Sequence, residues 1–183
     1  MTFDGLLDLT DRSSKEHQTR VAAALGPLEG GVWSRQPQPG VWSCGQVVEH
    51  LVLANSRYIA VTERVILGCP AADPETEVAL SFIGRFLVRA AGPEGDAPAP
   101  APMHPGPPDN VDRTRLDDWR GQQMKIAELA GLARGKDLNR KLFRNPYVPL
   151  FKMCLADFFR LSVDHTERHV RQIEERAALV RRA

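Results

Sequence analysis

Residues 150–179 read LFKMCLADFFRLSVDHTERHVRQIEERAAL, and this stretch decides the fold class. Its side chains recur at the three- and four-residue spacing of one α-helical face, which places Phe151, Leu155, Phe158, Ser162, His165, His169, Gln172 and Ile173 on a common stripe. Apolar residues fill the first half of that stripe, and metal-competent ones occupy its continuation. The stretch predicts a helix over about Leu150 to Leu179, its apolar half requiring other helices to cover it.

The rest of the chain supplies them. A first helix is expected from about Leu6 or Asp11 to Leu25, ended by Gly26-Pro27 and separated from the next segment by Gly30-Gly31. Two prolines make the segment Trp33 to Gly40 a connecting loop. Ser43-Cys44-Gly45-Gln46 fits a capping box, in which Ser43 caps and Gln46 reaches back, so a second helix should run from Ser43 to about Leu67. Its His50 shares a face with Val47, Ala54, Arg57 and Val61. A shorter helical candidate spans Thr76 to Arg89, and a third long helix is expected from about Val111 to Ala133, with Leu116, Trp119, Ile126, Leu129 and Ala130 as its apolar stripe. Seven of the 14 prolines fall between Pro93 and Pro108, which predicts an extended, mobile loop there. So long a connection permits the helices it joins to run parallel. No strand pattern or internal repeat emerges, and the expected fold is an all-α four-helix bundle occupying residues 1–183 as one domain.

Composition narrows the function classes. With 24 Lys plus Arg against 23 Asp plus Glu, the net charge of +1 gives no general attraction to nucleic acid. Arg168, Arg171, Arg176, Arg181 and Arg182 crowd the last helix, where cations complement the dipole. Cys44, Cys69 and Cys154 form no C-x-x-C pair and imply no disulfide framework, and Cys44 reads as a small buried residue near a helix start. The N-terminus lacks a basic region followed by an apolar run, and no stretch reaches membrane-spanning length. A soluble, cytoplasmic protein is expected.

His165 and His169 lie one helical turn apart and project from one face, so their imidazoles can close on one divalent ion. His50, on another helix, could supply a third ligand, and three neutral imidazoles leave coordination positions free for water or substrate. Alternatively, the pair are interfacial histidines bonded to carboxylates such as Asp164 or Glu167. His104, among the prolines, reads as a solvated loop residue. Gln172 shares the face of the pair and could orient an imidazole or a metal-bound water, or be simply a polar residue near a helix end. Gln46 could do the same if it is not spent on the cap, and Glu49 faces elsewhere.

Trp42-Ser43-Cys44-Gly45-Gln46-Val47-Val48-Glu49-His50-Leu51 resembles the helix-two signature of the DinB-like (damage-inducible) superfamily, in which a Trp-Ser entry precedes a ligand histidine. His165-Thr166-Glu167-Arg168-His169-Val170-Arg171-Gln172-Ile173 resembles its C-terminal signature, with two more ligands followed by Gln-Ile. The resemblance implies a four-helix bundle with a long crossover between helices two and three, and often a homodimer. It also implies a divalent ion, zinc or nickel before others, on His50, His165 and His169. Members of known activity look like metal-dependent thiol transferases and a thiol-dependent isomerase. This chain departs from the pattern in its proline-rich 93–108 segment and at Asn145-Pro146-Tyr147-Val148-Pro149-Leu150, where a His-Pro with a following glycine is frequent. Three functions are therefore weighed: a metal-dependent enzyme acting on a small molecule, as a low-molecular-weight thiol S-transferase or a hydrolase; a non-catalytic metal-binding stress-response module; and, last, a nucleic-acid partner, which the neutral charge disfavours.

Overall fold

The computed structural model describes residues 1–26, 33–140 and 142–182. Its α-helices are α1 (Phe3–Leu25), α2 (Cys44–Leu67), the shorter α3 (Phe82–Ala91), α4 (Thr114–Leu132) and α5 (Leu155–Arg182). The fold is all-α, as the periodicity predicts, save for an antiparallel ribbon of β1 (Phe143–Arg144) and β2 (Lys152–Met153). Strands of two residues are too short to show alternation, which is why the sequence reading contains none.

Four long helices pack in a ring, α1 against α4 and α5, and α2 against the same two. One buried cluster joins Phe3, Leu6 and Leu7 of α1 to Ile66 of α2, Leu129 of α4 and Phe158 of α5. A second joins Val21 and Leu25 to Val47, Leu51, Trp119, Val170 and Ile173. The start of α1 therefore lies with the start of α5 and with the ends of α2 and α4. It follows that α1 and α5 run one way and α2 and α4 the other, the parallel arrangement that the long connection between α2 and α4 permits.

Several boundaries move. Thr2 caps α1 by accepting from Gly5 N at 3.2 Å, and Phe3 N donates to Thr76 O at 2.9 Å, so the helix starts at Phe3 rather than at Leu6 or Asp11. The capping box of Ser43 and Gln46 is formed as expected, and α2 ends at Leu67. Of the face assigned to His50, Val47 and Ala54 are buried, but Arg57 is exposed and Val61 half-buried, and Tyr58 takes the inward place. The backbone from Thr76 to Val78 is bonded to the N-terminal segment, so α3 begins only after Ser81, which accepts from Gly84 N at 2.9 Å. α4 starts at Thr114, because Val111 is extended and its carbonyl accepts from Trp33 Nε1 at 2.9 Å.

α5 starts at Leu155 rather than Leu150 because Phe151 to Met153 belong to the ribbon, where Asn145 N donates to Phe151 O at 2.9 Å. The Asp157 carboxylate, fully buried, accepts from Cys154 N at 2.9 Å and from Ser81 N and Oγ at 2.8 and 2.6 Å. It ties the start of α5 to the start of α3. Gly84 makes that approach possible, since a β-carbon there would stand 1.8 Å from Asp157 Oδ1.

The proline-rich 93–108 segment is packed rather than open. It contains a 3-10 turn, Ala101–Met103, buries Met103, and is pinned by Gly106 N donating to the Glu49 carboxylate at 2.8 Å. The predicted breaks at Pro27, Gly30 and Gly31 lie outside the described residues. No helix among the described residues is long and apolar enough to cross a membrane.

Candidate metal centre

α2 and α5 bring His50, His165 and His169 together, with one ligand atom from each lying within 4.8 Å of the others. His165 Nε2 stands 3.3 Å from His50 Nε2 and 3.1 Å from His169 Nε2. His50 and His169 are buried, and His165 is half-buried, facing a cavity.

The outer nitrogens explain the orientation. His50 Nδ1 donates to Met103 O at 2.8 Å, and because a carbonyl only accepts, the ring's proton sits on Nδ1 and its Nε2 presents a lone pair. His169 Nδ1 donates to Gln172 Oε1 at 2.9 Å, which turns its Nε2 inward in the same way. Gln172 therefore orients an imidazole and is more than a polar residue at a helix end. Trp42 lies against His50, ring centroids 5.1 Å apart, and closes that side.

Burial drives all three rings toward the neutral form. The pKa of His50 falls to about 4 despite its bond to Met103 O, that of His165 falls to about 3, and that of His169 lies well below the ordinary imidazole value, each chiefly through desolvation. Neutral rings are what metal ligation requires. Without a cation, lone pairs converge on one point, and a single proton on His165 Nε2 can serve one neighbour at a time. Two nitrogens each about 2.0–2.1 Å from a zinc ion, at a tetrahedral angle, stand roughly 3.3–3.4 Å apart. The observed separations of 3.1 and 3.3 Å fit such a set.

Among the described residues, neither His165 nor His169 bonds to a carboxylate. Glu167 accepts from His17 Nε2 at 3.1 Å and from Arg20 and Arg171, and Asp164 accepts from Arg160. Gln46 is spent on the cap and on Gly106 O, and Glu49 on Gly106 N, so neither reaches the trio. His104 is exposed, donates to Ala99 O at 2.8 Å, and stays outside it.

A sequence model of the DinB superfamily matches residues 14–173, most of the chain and all three histidines. The chain belongs to the DinB superfamily. No curated protein and no solved structure matches it.

In this DinB-superfamily chain the trio opens on a cavity of about 440 Å³ between α2, α3, α5 and the proline-rich segment. Its wall is mostly apolar, with Tyr58, Phe86, Leu87, Phe158 and Leu161, and polar groups gather at the histidines, Asn55, Asn145, Arg168 and Arg176. Asn145, in the departure from the family pattern, accepts from Tyr147 N and Val148 N and donates to Tyr58 Oη at 2.8 Å, so this turn builds part of the cavity wall. Sequence reasoning missed the Met103 carbonyl, which has no side-chain signature, and the inward placing of Arg168 and Arg176. The latter was readable, as both continue the stripe of His165 and His169 at helical spacing. All three cysteines are buried. Desolvation pushes the Cys44 thiol up to about 11 and the Cys154 thiol to about 12, so neither is a ready nucleophile.

Proposed function

We propose that this protein is a metal-dependent enzyme acting on a small molecule, with His50, His165 and His169 as the ligands of one divalent ion. The observation that carries the reading is the convergence of three Nε2 atoms on one point at the wall of a cavity large enough for a substrate. When bound, the ion would supply the Lewis acidity that makes a thiol or a water nucleophilic near neutral pH. Met103 O and Gln172 Oε1 hold two of the rings with their lone pairs inward, and burial keeps all three unprotonated. An apolar wall borders the three rings on the cavity side.

Transfer to or from a low-molecular-weight thiol is the most specific form of the proposal, and hydrolysis a close variant. Zinc and nickel both suit three imidazoles. No carboxylate bonds to the three rings among the described residues, and this favours a second reading, a metal-binding stress-response module without turnover.

Elemental analysis of tag-free protein tests the site. About one divalent ion per chain is expected in the parent, and none in the His50→Ala and His169→Ala variants. Parent protein that stays folded yet takes up neither zinc nor nickel would remove the assignment. Turnover of thiols with electrophiles by the loaded protein then separates the enzyme from the module.

A further inference from the structure

Three of the six arginines of α5 have a partner on the outer side of the bundle or on the helix itself. Arg160 donates to Asp164 at 2.8 Å, Arg171 to Glu167 at 2.7 Å and Arg181 to Ala24 O at 2.5 Å. From α1, Arg20 reaches Glu167 and Glu174 on the outer face of the same helix. Arg168 and Arg176 differ. Both line the cavity, both are half-buried, and neither forms a hydrogen bond or an ion pair with another described residue. Arg176 Nη1 is fully shielded from solvent and has no hydrogen-bond partner among the described residues.

An unpaired guanidinium taken out of water is costly, and its planar fork matches a carboxylate, sulfonate or phosphate. The remaining charged group on the wall, Asp96, stays beyond ion-pair distance of Arg168, although its field reaches it. Histidines and tyrosines aside, the ionisable side chains on the wall are therefore two arginines and one aspartate. Asn55, 6% exposed, also lines the cavity and has an Nδ2 without an acceptor. Beyond these groups the surface is the apolar wall of Phe86, Leu87, Phe158 and Leu161.

We infer that the cavity takes an anion-bearing organic molecule, its acidic group held by Arg168 and Arg176 and its apolar body lying along α3 and the start of α5. This rests on reading the cavity as the substrate site and narrows the substrate to acids. Arg168 stands about one turn from His165 on α5, so an acid group held there keeps the rest of the molecule beside the three imidazoles.

Calorimetric titration with 4-phenylbutyrate and with its neutral amide, 4-phenylbutyramide, tests the inference. It is run on metal-free and on zinc-treated protein. The acid is expected to bind metal-free parent at least about tenfold more tightly than the amide. Arg168→Gln and Arg176→Gln should each weaken the acid by a similar factor while leaving amide binding and zinc content unchanged. Equal binding of acid and amide to the parent, no binding of the acid at millimolar concentration, or full acid affinity in the double variant would each overturn it. The comparison within the parent needs no variant to fold. A failure of the metal reading shows separately, as absence of zinc uptake with the preference for the acid intact.

Discussion

His165 sits between the two other imidazoles, 3.3 Å from one Nε2 and 3.1 Å from the other, so its loss breaks the set at its middle. His165→Ala is expected to reduce bound metal from about one ion per chain to none while far-ultraviolet circular dichroism stays helical. Equal metal content in variant and parent would defeat the assignment. Gln172→Leu should lower metal affinity about 10- to 100-fold, because the Nδ1 of His169 loses its acceptor. Competition with a chromogenic chelator measures this, and unchanged affinity would leave Gln172 without an orienting role. At this scale the candidate site was largely legible. The pair and Gln172 share one helical stripe, and periodicity alone aligns them. The acceptor for His50 was not legible, because Met103 contributes a backbone oxygen from a segment whose prolines suggested only an open loop.

Helix starts were legible where a full capping box marks them and obscure where a single capping side chain acts together with a distant element. Ser43 and Gln46 fix the start of α2 within four residues of sequence. The starts of α1 and α3 depend on each other, through the bonds of Phe3 with Thr76 and of Val78 with Met1, and no window of sequence contains both partners. The start of α5 depends on the ribbon before it and on Ser81, 76 positions away from Asp157. Gly84 marks the closest point of that docking. Gly84→Ala should force α3 away from Asp157 and cost about 1–3 kcal/mol, the usual range for overpacking a tight contact. Urea unfolding measures the change, and a variant as stable as the parent would mean that α3 is only loosely seated.

The whole molecule buries four of its five histidines' rings to a large degree, and this makes its stability sensitive to acid. His17, His50, His165 and His169 are all held below the ordinary imidazole value of 6.5, first of all by desolvation. Above that pH, folded and unfolded chains bind the same number of protons at these groups, and the shifts change nothing. Below it the unfolded chain takes up protons that the native one refuses until about pH 4 for His50 and about pH 3 for His165. Metal-free protein should therefore lose up to about 1.4 kcal/mol per pH unit for each such group as pH falls from about 6.5 toward 4. Urea midpoints at pH 7, 6 and 5 would show the decline, and a flat series would contradict it. A homodimer, which the family resemblance implies, is a proposal on the same scale. Phe82, Phe86 and Leu150 are 77, 57 and 86% exposed and offer apolar area for pairing. Sedimentation showing only a 20.3 kDa species at every concentration would rule it out.

The side-by-side course of α1 and α5 also governs the order in which the protein can be assembled. His165 is synthesised 115 positions after His50, so the first of the three histidines waits for the other two. Until α5 is complete, α1 lacks the helix that accepts Arg20, and both buried clusters lack one wall. Contacts of such long range close slowly, so the three histidines of the proposed site stay apart until α5 has been made. Any metal loading at these histidines would follow the docking of α5 on α1 and α2.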